Sequence, residues 1–345
     1  MRHSIGQRTI DLPRRPKICA GAAIAGRKEG EGPLGHEFDQ VIDDDLFSEE
    51  TWEKAECRLF YTACETCLRK AGVTTGQVDV LLGGDLLNQI ISASMAAREL
   101  KLPFLGLYGA CSTMAEGLCL SALLVDGGHI RTALCAASSH FCSAERQYRF
   151  PLEYGSQRTP TAQWTVTGAG ASLVTAEESL PAMARCAQVT IGRVTDMGIA
   201  DANNMGAAMA PAAADTLLRH FADTGRTSAD YDLIITGDLG QVGHDILLQL
   251  MHDRGHALNP ERYMDCGLAV YDASQDVHAG GSGCGCSAIT LNSHILRRIR
   301  EGELRRVLFM ATGALLSTTS SQQGDTIPGV AHAIVLEGEG VCSGR

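Results

Sequence analysis

Cys111 is the residue whose setting in this sequence is most suggestive of chemistry. Residues 104–108, Phe-Leu-Gly-Leu-Tyr, are short, apolar and partly aromatic, which predicts a buried strand. Gly109 then allows a tight turn that a side chain would obstruct. From Ser112 onward, Met114, Ala115, Leu118, Ser121, Ala122 and Val125 recur at helical spacing, and Asp126-Gly127-Gly128 closes the pattern. Cys111 therefore stands where a strand ends and a helix begins. Unpaired backbone N–H groups and the positive end of a helix dipole stabilise a thiolate there, the setting of a nucleophile on an elbow. The competing reading is structural, because cysteine is among the most buried residue types.

A second concentration of reactive types lies in residues 138–164. This stretch carries His140, Arg146, Arg149 and Arg158 among Phe141, Tyr148, Phe150, Tyr154 and Trp164. It interrupts an otherwise regular strand–helix rhythm, and long irregular loops on compact scaffolds tend to be functional. His278 precedes a glycine-rich turn, Gly280-Gly281-Ser282-Gly283, and Gly313 sits near the end of an apolar run. Structural readings compete at each. An arginine on such a loop is commonly an ion-pair partner, and His278 reads equally as a satisfied structural histidine. Asn203 and Asn204 read as caps of the helix through Ala213 and Leu217. Gly313 reads as a place where backbone approaches the pocket floor, or as a plain turn.

The elements that must position these residues come from the whole chain of 345 residues, 45% hydrophobic and 20% charged, enough for a large core and two domain-sized halves. A formal net charge of -11 argues against a nucleic-acid partner, and it disfavours anionic lipid unless a local basic patch intervenes. Thirteen cysteines without the small, loop-rich character of a disulfide scaffold point to a reducing compartment. Cys64-x-x-Cys67 falls inside a helical pattern with no second pair at zinc spacing, so neither it nor Cys284-Gly-Cys286 predicts a metal site. The basic residues 14–17 before an apolar run mimic a signal peptide, but the run is short and glycine-interrupted and reads as a first strand. No stretch is apolar for the roughly 18 residues that a membrane span needs.

Strands are expected at residues 18–25, 78–82, 132–137 and 165–175, with helices from Ser48 to a stop at Gly72 and over residues 89–100. The pattern then repeats in order. Asp79-Val-Leu-Leu-Gly-Gly-Asp-Leu86 is echoed by Asp232-Leu-Ile-Ile-Thr-Gly-Asp-Leu239, and Arg131-Thr-Ala-Leu-Cys-Ala-Ala by Arg306-Val-Leu-Phe-Met-Ala-Thr. Residues 168–177 are echoed by residues 329–337. Three ordered echoes predict two copies of one β/α unit, residues 1–180 and 181–345, with buried, mostly parallel sheets and helices on their faces.

Two such copies with a cysteine at the first elbow resemble the thiolase fold, an α/β architecture in αβαβα layers. One branch is closer still. Gly106-Leu-Tyr-Gly-Ala-Cys-Ser-Thr-Met-Ala-Glu-Gly117, Ala144-Glu-Arg-Gln-Tyr-Arg-Phe-Pro-Leu-Glu-Tyr-Gly155, Asp201-Ala-Asn-Asn-Met-Gly206 and Gln275-Asp-Val-His-Ala-Gly-Gly-Ser-Gly-Cys-Gly-Cys286 are similar to the stage V sporulation protein AD family. That resemblance implies a subunit that binds dipicolinic acid (pyridine-2,6-dicarboxylate) during its uptake into the developing spore. It also implies a homodimer, peripheral at the inner spore membrane beside membrane proteins of the same operon, with no cofactor.

The alternative is an acyltransferase or condensing enzyme using Cys111. In the related synthases a histidine follows the strand that resembles residues 231–236, and an asparagine falls near Gly281. This sequence reads Gly237-Asp-Leu-Gly-Gln241 at the first place and Gly280-Gly-Ser-Gly283 at the second. His244 and His278 are the nearest imidazoles in sequence. Asp238 opposes a thiolate, because a neighbouring negative charge raises a thiol pKa. A lone nucleophile lacks the groups that a mechanism needs, so binding is favoured. A planar dianion calls for convergent donors, arginine forks above all. The expected ligand set is Cys111, His140, Arg146, Arg149, Arg158, His278, Gly281 and Gly313.

Overall fold

The computed structural model describes residues 4–148 and 157–340. Five strands of the first half, β1 (Lys17–Ala25), β2 (Val80–Gly84), β3 (Phe104–Gly106), β4 (Thr132–Ser139) and β6 (Gly168–Thr175), pair in the order β1-β6-β4-β2-β3. A two-residue strand β5 (Trp164–Thr165) stands outside them. Five strands of the second half repeat the order. These are β7 (Ala184–Thr190), β8 (Leu233–Thr236), β9 (Tyr263–Asp265), β11 (Arg306–Ala314) and β12 (Gly329–Glu337), and they pair as β7-β12-β11-β8-β9. The last short strand, β10 (Gly281–Ser282), pairs with β5. Lys17 and Ile18 pair with Arg185 and Ala184, joining the two sets edge to edge.

The sheets are mixed, not mostly parallel. β6 and β12 each run antiparallel to both neighbours, whereas β2–β3, β2–β4, β8–β9 and β8–β11 are parallel. The cause is visible in the return from β11 to β12, where residues 315–328 hold only the short helix Thr318–Gln322. An antiparallel neighbour needs no crossover helix.

Helices complete the layers. α1 (Trp52–Ala71) and α2 (Ile91–Leu100) share one apolar cluster with the outer face of the first sheet. α5 (Met205–Thr224) and α6 (Gly240–Asp253) do the same for the second. Between the sheets lie α3 (Thr113–Asp126) and α7 (Cys284–Thr290), whose side chains form the largest cluster with both. Met114, Leu118, Ala122, Ala288 and Ile289 are fully buried there, and each large one is worth about 1.5–3 kcal/mol. The small residues of β6 let α7 approach, since a Cβ on Gly170 would fall 2.3 Å from the Ala288 carbonyl oxygen.

Several boundaries differ from the sequence reading. α1 starts at Trp52, capped by Thr51, whose hydroxyl accepts from the Lys54 N–H, while Ser48 takes a left-handed conformation upstream. Gly72 ends it as expected, left-handed at φ 66°. Residues 104–108 are not a buried strand. β3 is the outermost strand of its sheet, and Leu105 is 51% exposed and Tyr108 44%. The 138–164 stretch is not irregular throughout, because α4 (Phe141–Tyr148) opens it.

Candidate functional site: the Cys111 elbow

Cys111 lies in the 3-10 turn Ala110–Ser112 that leads into α3. The turn is tied by its own hydroxyls. Ser112 Oγ donates to the Gly109 carbonyl at 2.7 Å, Thr113 Oγ1 donates to the Ala110 carbonyl at 2.7 Å and accepts from the Gly109 N–H. Ala110, immediately before the cysteine, is left-handed at φ 48°, at a cost of about 1–2 kcal/mol for a non-glycine residue. β11 packs against this turn through Gly313. A Cβ there would stand 2.2 Å from the Gly109 carbonyl oxygen, so only glycine admits the approach.

The groups facing the sulfur come from the other half. Asp238, at the end of β8, is fully buried against the Cys111 thiol. Its carboxylate accepts from the Gly283 N–H at 2.9 Å and from Thr312 Oγ1 at 3.0 Å. Burial pushes Asp238 up to about 7, against the pull of those donors. Burial first, and the Asp238 carboxylate second, push the Cys111 thiol well above its ordinary value, outweighing the Gly283 N–H and the Ser282 hydroxyl. The expectation of a dipole-stabilised thiolate is thereby corrected. Gln163 braces the arrangement, its amide donating to the carbonyls of Asp238 at 2.7 Å and Gly281 at 2.8 Å.

A cavity of about 40 Å³ adjoins the thiol, lined by Leu86, Tyr108, Ala110, Ala144, Tyr148, Thr165, Met205, Ser282, Ala314 and Leu316 among the described residues. Among the described residues its polar side chains are hydroxyls, and none of them contributes an imidazole or guanidinium. Among the described residues no group of three or more histidine, cysteine, aspartate or glutamate side chains is placed to hold a metal.

The expected ligands are dispersed. His140 is buried and neutral. Its Nε2–H donates to the Asp45 carbonyl at 2.7 Å, its Nδ1 accepts from the Cys142 N–H, and burial lowers its pKa. Arg146 pairs with Glu53 and packs over the Trp52 ring. Arg158 and His278 do meet, but around Asp276. Arg158 donates to the Asp276 carbonyl at 2.6 Å and stacks on Trp164, and His278 Nε2 lies 3.2 Å from the Asp276 carboxylate. Arg149 lies outside the described residues. Gly281 lies in β10, its strand partner being Trp164, and places Ser282 in the cavity wall. The cluster of basic clamps expected at Cys111 is thus absent among the described residues, Arg146 being held by Glu53 and Arg158 by Asp276. Tyr108, Thr165, Ser282 and Gln163 were not among the expected ligands, although Tyr108 and Ser282 stand inside segments that carry the family resemblance. Only the two-residue β5–β10 pairing brings Thr165 and Ser282 to the thiol.

The sequence model of the family described as Stage V sporulation protein AD (SpoVAD) matches residues 6–337. The chain belongs to that family. It is 48% identical over 326 residues to the Stage V sporulation protein AD of Bacillus subtilis (strain 168), covering 94% of this chain and 95% of that protein. Among solved structures it is similar to 3-oxoacyl-[acyl-carrier-protein] synthase III from Aquifex aeolicus VF5, with a TM-score of 0.59 at 13% identity over 93% of this chain and 99% of that one. Cerulenin-bound OleA from Xanthomonas campestris gives 0.60 at 12% identity, covering 94% and 96%. Human mitochondrial 3-ketoacyl-CoA thiolase gives 0.58 at 12%, covering 94% and 99%. At these identities the likeness is one of fold, and the family's fold is thiolase-like.

Proposed function

We propose that this sporulation protein is a non-catalytic binder of dipicolinic acid, a receptor built on a fold whose relatives use the elbow thiol for chemistry. One observation carries the reading: a buried carboxylate, Asp238, faces Cys111 where a condensing enzyme needs an imidazole. A thiol held protonated is not a nucleophile at neutral pH. Stabilising the enolate or oxyanion of a condensation would also need donors aimed at the developing charge, and Asp238 draws the Gly283 N–H to itself. What such a site retains is a set of converging hydroxyls at the mouth of the cleft, where a small polar molecule can be held.

The subunit acts as a homodimer, peripheral at the inner spore membrane beside membrane proteins of its operon. Two features support this. The open edge of β3 exposes Leu105, beside Ile91, Met95 and Tyr108, which are also exposed, and an unpaired apolar edge favours a second copy of the chain. Among the described residues, no helix is long and apolar enough to cross a membrane, so attachment would run through protein partners.

Isothermal titration with dipicolinate, against pyridine-3,5-dicarboxylate as control, tests the binding claim. Saturable heat with the 2,6-isomer alone is expected. Equal or absent binding of both would overturn it.

A further inference from the structure

The cavity at Cys111 holds about 40 Å³, room for a few waters. Sites for small molecules span roughly 300–1,000 Å³. Immediately outside it lies a second cavity of about 370 Å³, lined by Asn88, Gln89, Ile90, Ser317, Thr318 and Thr319. The two compartments share three side chains in their walls: Tyr108, Tyr148 and Leu316.

The two tyrosines are fastened to each other and to one carbonyl. Tyr148 donates to the Leu86 carbonyl at 2.5 Å, which leaves Tyr108 to donate to the Tyr148 hydroxyl at 2.6 Å, its own oxygen lying 3.3 Å from the same carbonyl. Gln147, the neighbour of Tyr148 on α4, donates to the same carbonyl at 3.1 Å and accepts from the Asn88 N–H at 2.9 Å. The loop carrying Leu86 is itself held firmly. Buried Asp85 accepts from the N–H groups of Leu87 and Ala93, and Gln89 and Ile90 are both left-handed between them. A β-branched residue in that conformation persists only where its surroundings over-determine it.

We propose that Tyr108 and Tyr148 form a hydroxyl latch that shuts the thiol chamber off, so that the outer cavity, not the chamber, is the ligand compartment. These two tyrosines then set its specificity. The compartment takes a small, flat polar acid. Its ring lies against the tyrosines and its oxygens meet neutral donors, the Asn88 and Gln89 amides and the hydroxyls of Ser317, Thr318 and Thr319. Opening the latch frees two further hydroxyls to donate to the same carboxylate. This assignment deepens the binding reading above, yet the latch can be judged without any ligand.

The test has two arms. In the first, the full chain is treated with methylmercury chloride, which binds a thiol by displacing its proton, and labelling at Cys111 is followed by peptide mass spectrometry. Cys57, half-buried on α1 and lining neither of the two compartments, serves as the internal reference. Tyr148→Phe and Tyr108→Phe keep the ring and remove the hydroxyl. Each should speed Cys111 labelling about tenfold, the scale of one or two lost hydrogen bonds, with Cys57 unchanged. Labelling at the wild-type rate in both variants overturns the latch. A rise shared by Cys57 reports loosening of the whole fold and equally counts against it.

In the second arm dipicolinate is titrated into the wild type, Cys111→Ala and Tyr148→Phe. Unchanged affinity in Cys111→Ala with several-fold weakening in Tyr148→Phe supports the outer compartment. Loss of binding in Cys111→Ala places the ligand in the chamber and overturns it. Absence of binding to the wild type defeats the binding reading instead, and the latch then stands or falls on labelling alone.

Discussion

The two halves of the chain each bring a strand against the start of a central helix, and they solve the same crowding problem in opposite ways. In the Cys111 elbow the turn carries side chains, with Ala110 left-handed, and the strand that meets it is bare at Gly313. At the start of α7 the turn is bare, with Gly280 and Gly283 left-handed at φ 110° and 101°, and the strand β4 carries Ser138 and Ser139. A Cβ on Gly283 would meet Ser139 Oγ at 2.6 Å. The two cysteines differ accordingly. Cys284 Sγ donates to the Ser138 carbonyl at 2.9 Å and is satisfied in the core. Cys111 faces a cavity and a carboxylate brought from the other half. A duplicated framework therefore fixes where the elbows lie, while the turn residues decide what each presents.

Gly313→Val should show the largest effect. It drives a side chain into the Gly109 backbone and should destabilise by about 3 kcal/mol or more in urea melts. Ser138→Gly, the equivalent position facing the other elbow, should cost about 1 kcal/mol. Equal losses would break the contrast between a bare strand and a bare turn.

Asp238→Asn sharpens the electrostatic half of the comparison. In the folded chain Asp238 keeps its proton up to about pH 7, whereas an unfolded aspartate loses it near 3.8. The folded state therefore binds the extra proton between those values, and this group's contribution to stability falls as pH rises through them. The variant should gain on the wild type by roughly 2–3 kcal/mol between pH 5 and pH 8. A constant offset, whatever its sign, would mean that Asp238 is ionised throughout.

Cys284→Ala removes a core thiol and its bond and should cost about 1–2 kcal/mol in thermal or urea unfolding. Cys111→Ala, beside open space, should cost less than about 1 kcal/mol. Smallest of all, Arg146→Ala breaks a half-exposed pair with Glu53 and should cost about 0.5 kcal/mol. A larger loss of ligand affinity in that variant would restore Arg146 to the site.

The echoed segments 79–86 and 232–239, and the run of Met114, Leu118 and Ala122, made the duplicated layers legible in the sequence, because buried periodicity is a local signal. Cys111 was legible for the same reason, a strand and a helix meeting at Gly109. Sheet direction was not, since β6 and β12 are as apolar as the parallel strands beside them. The cavity wall was less so. Thr165 and Ser282 are 117 positions apart and meet only through the β5–β10 pairing, which no spacing announces. Arg146 and Arg158 suit a dianion by type, whereas Glu53 and Asp276, which hold them here, were invisible as partners until the chain was folded.

The central claim, that the fold has kept its thiol and lost the means to activate it, is tested most directly by incubating the protein with acetyl-CoA and longer acyl-CoA thioesters and weighing it by intact mass spectrometry. An unchanged mass at neutral pH is the expected result. A stable acyl adduct on Cys111 would contradict it.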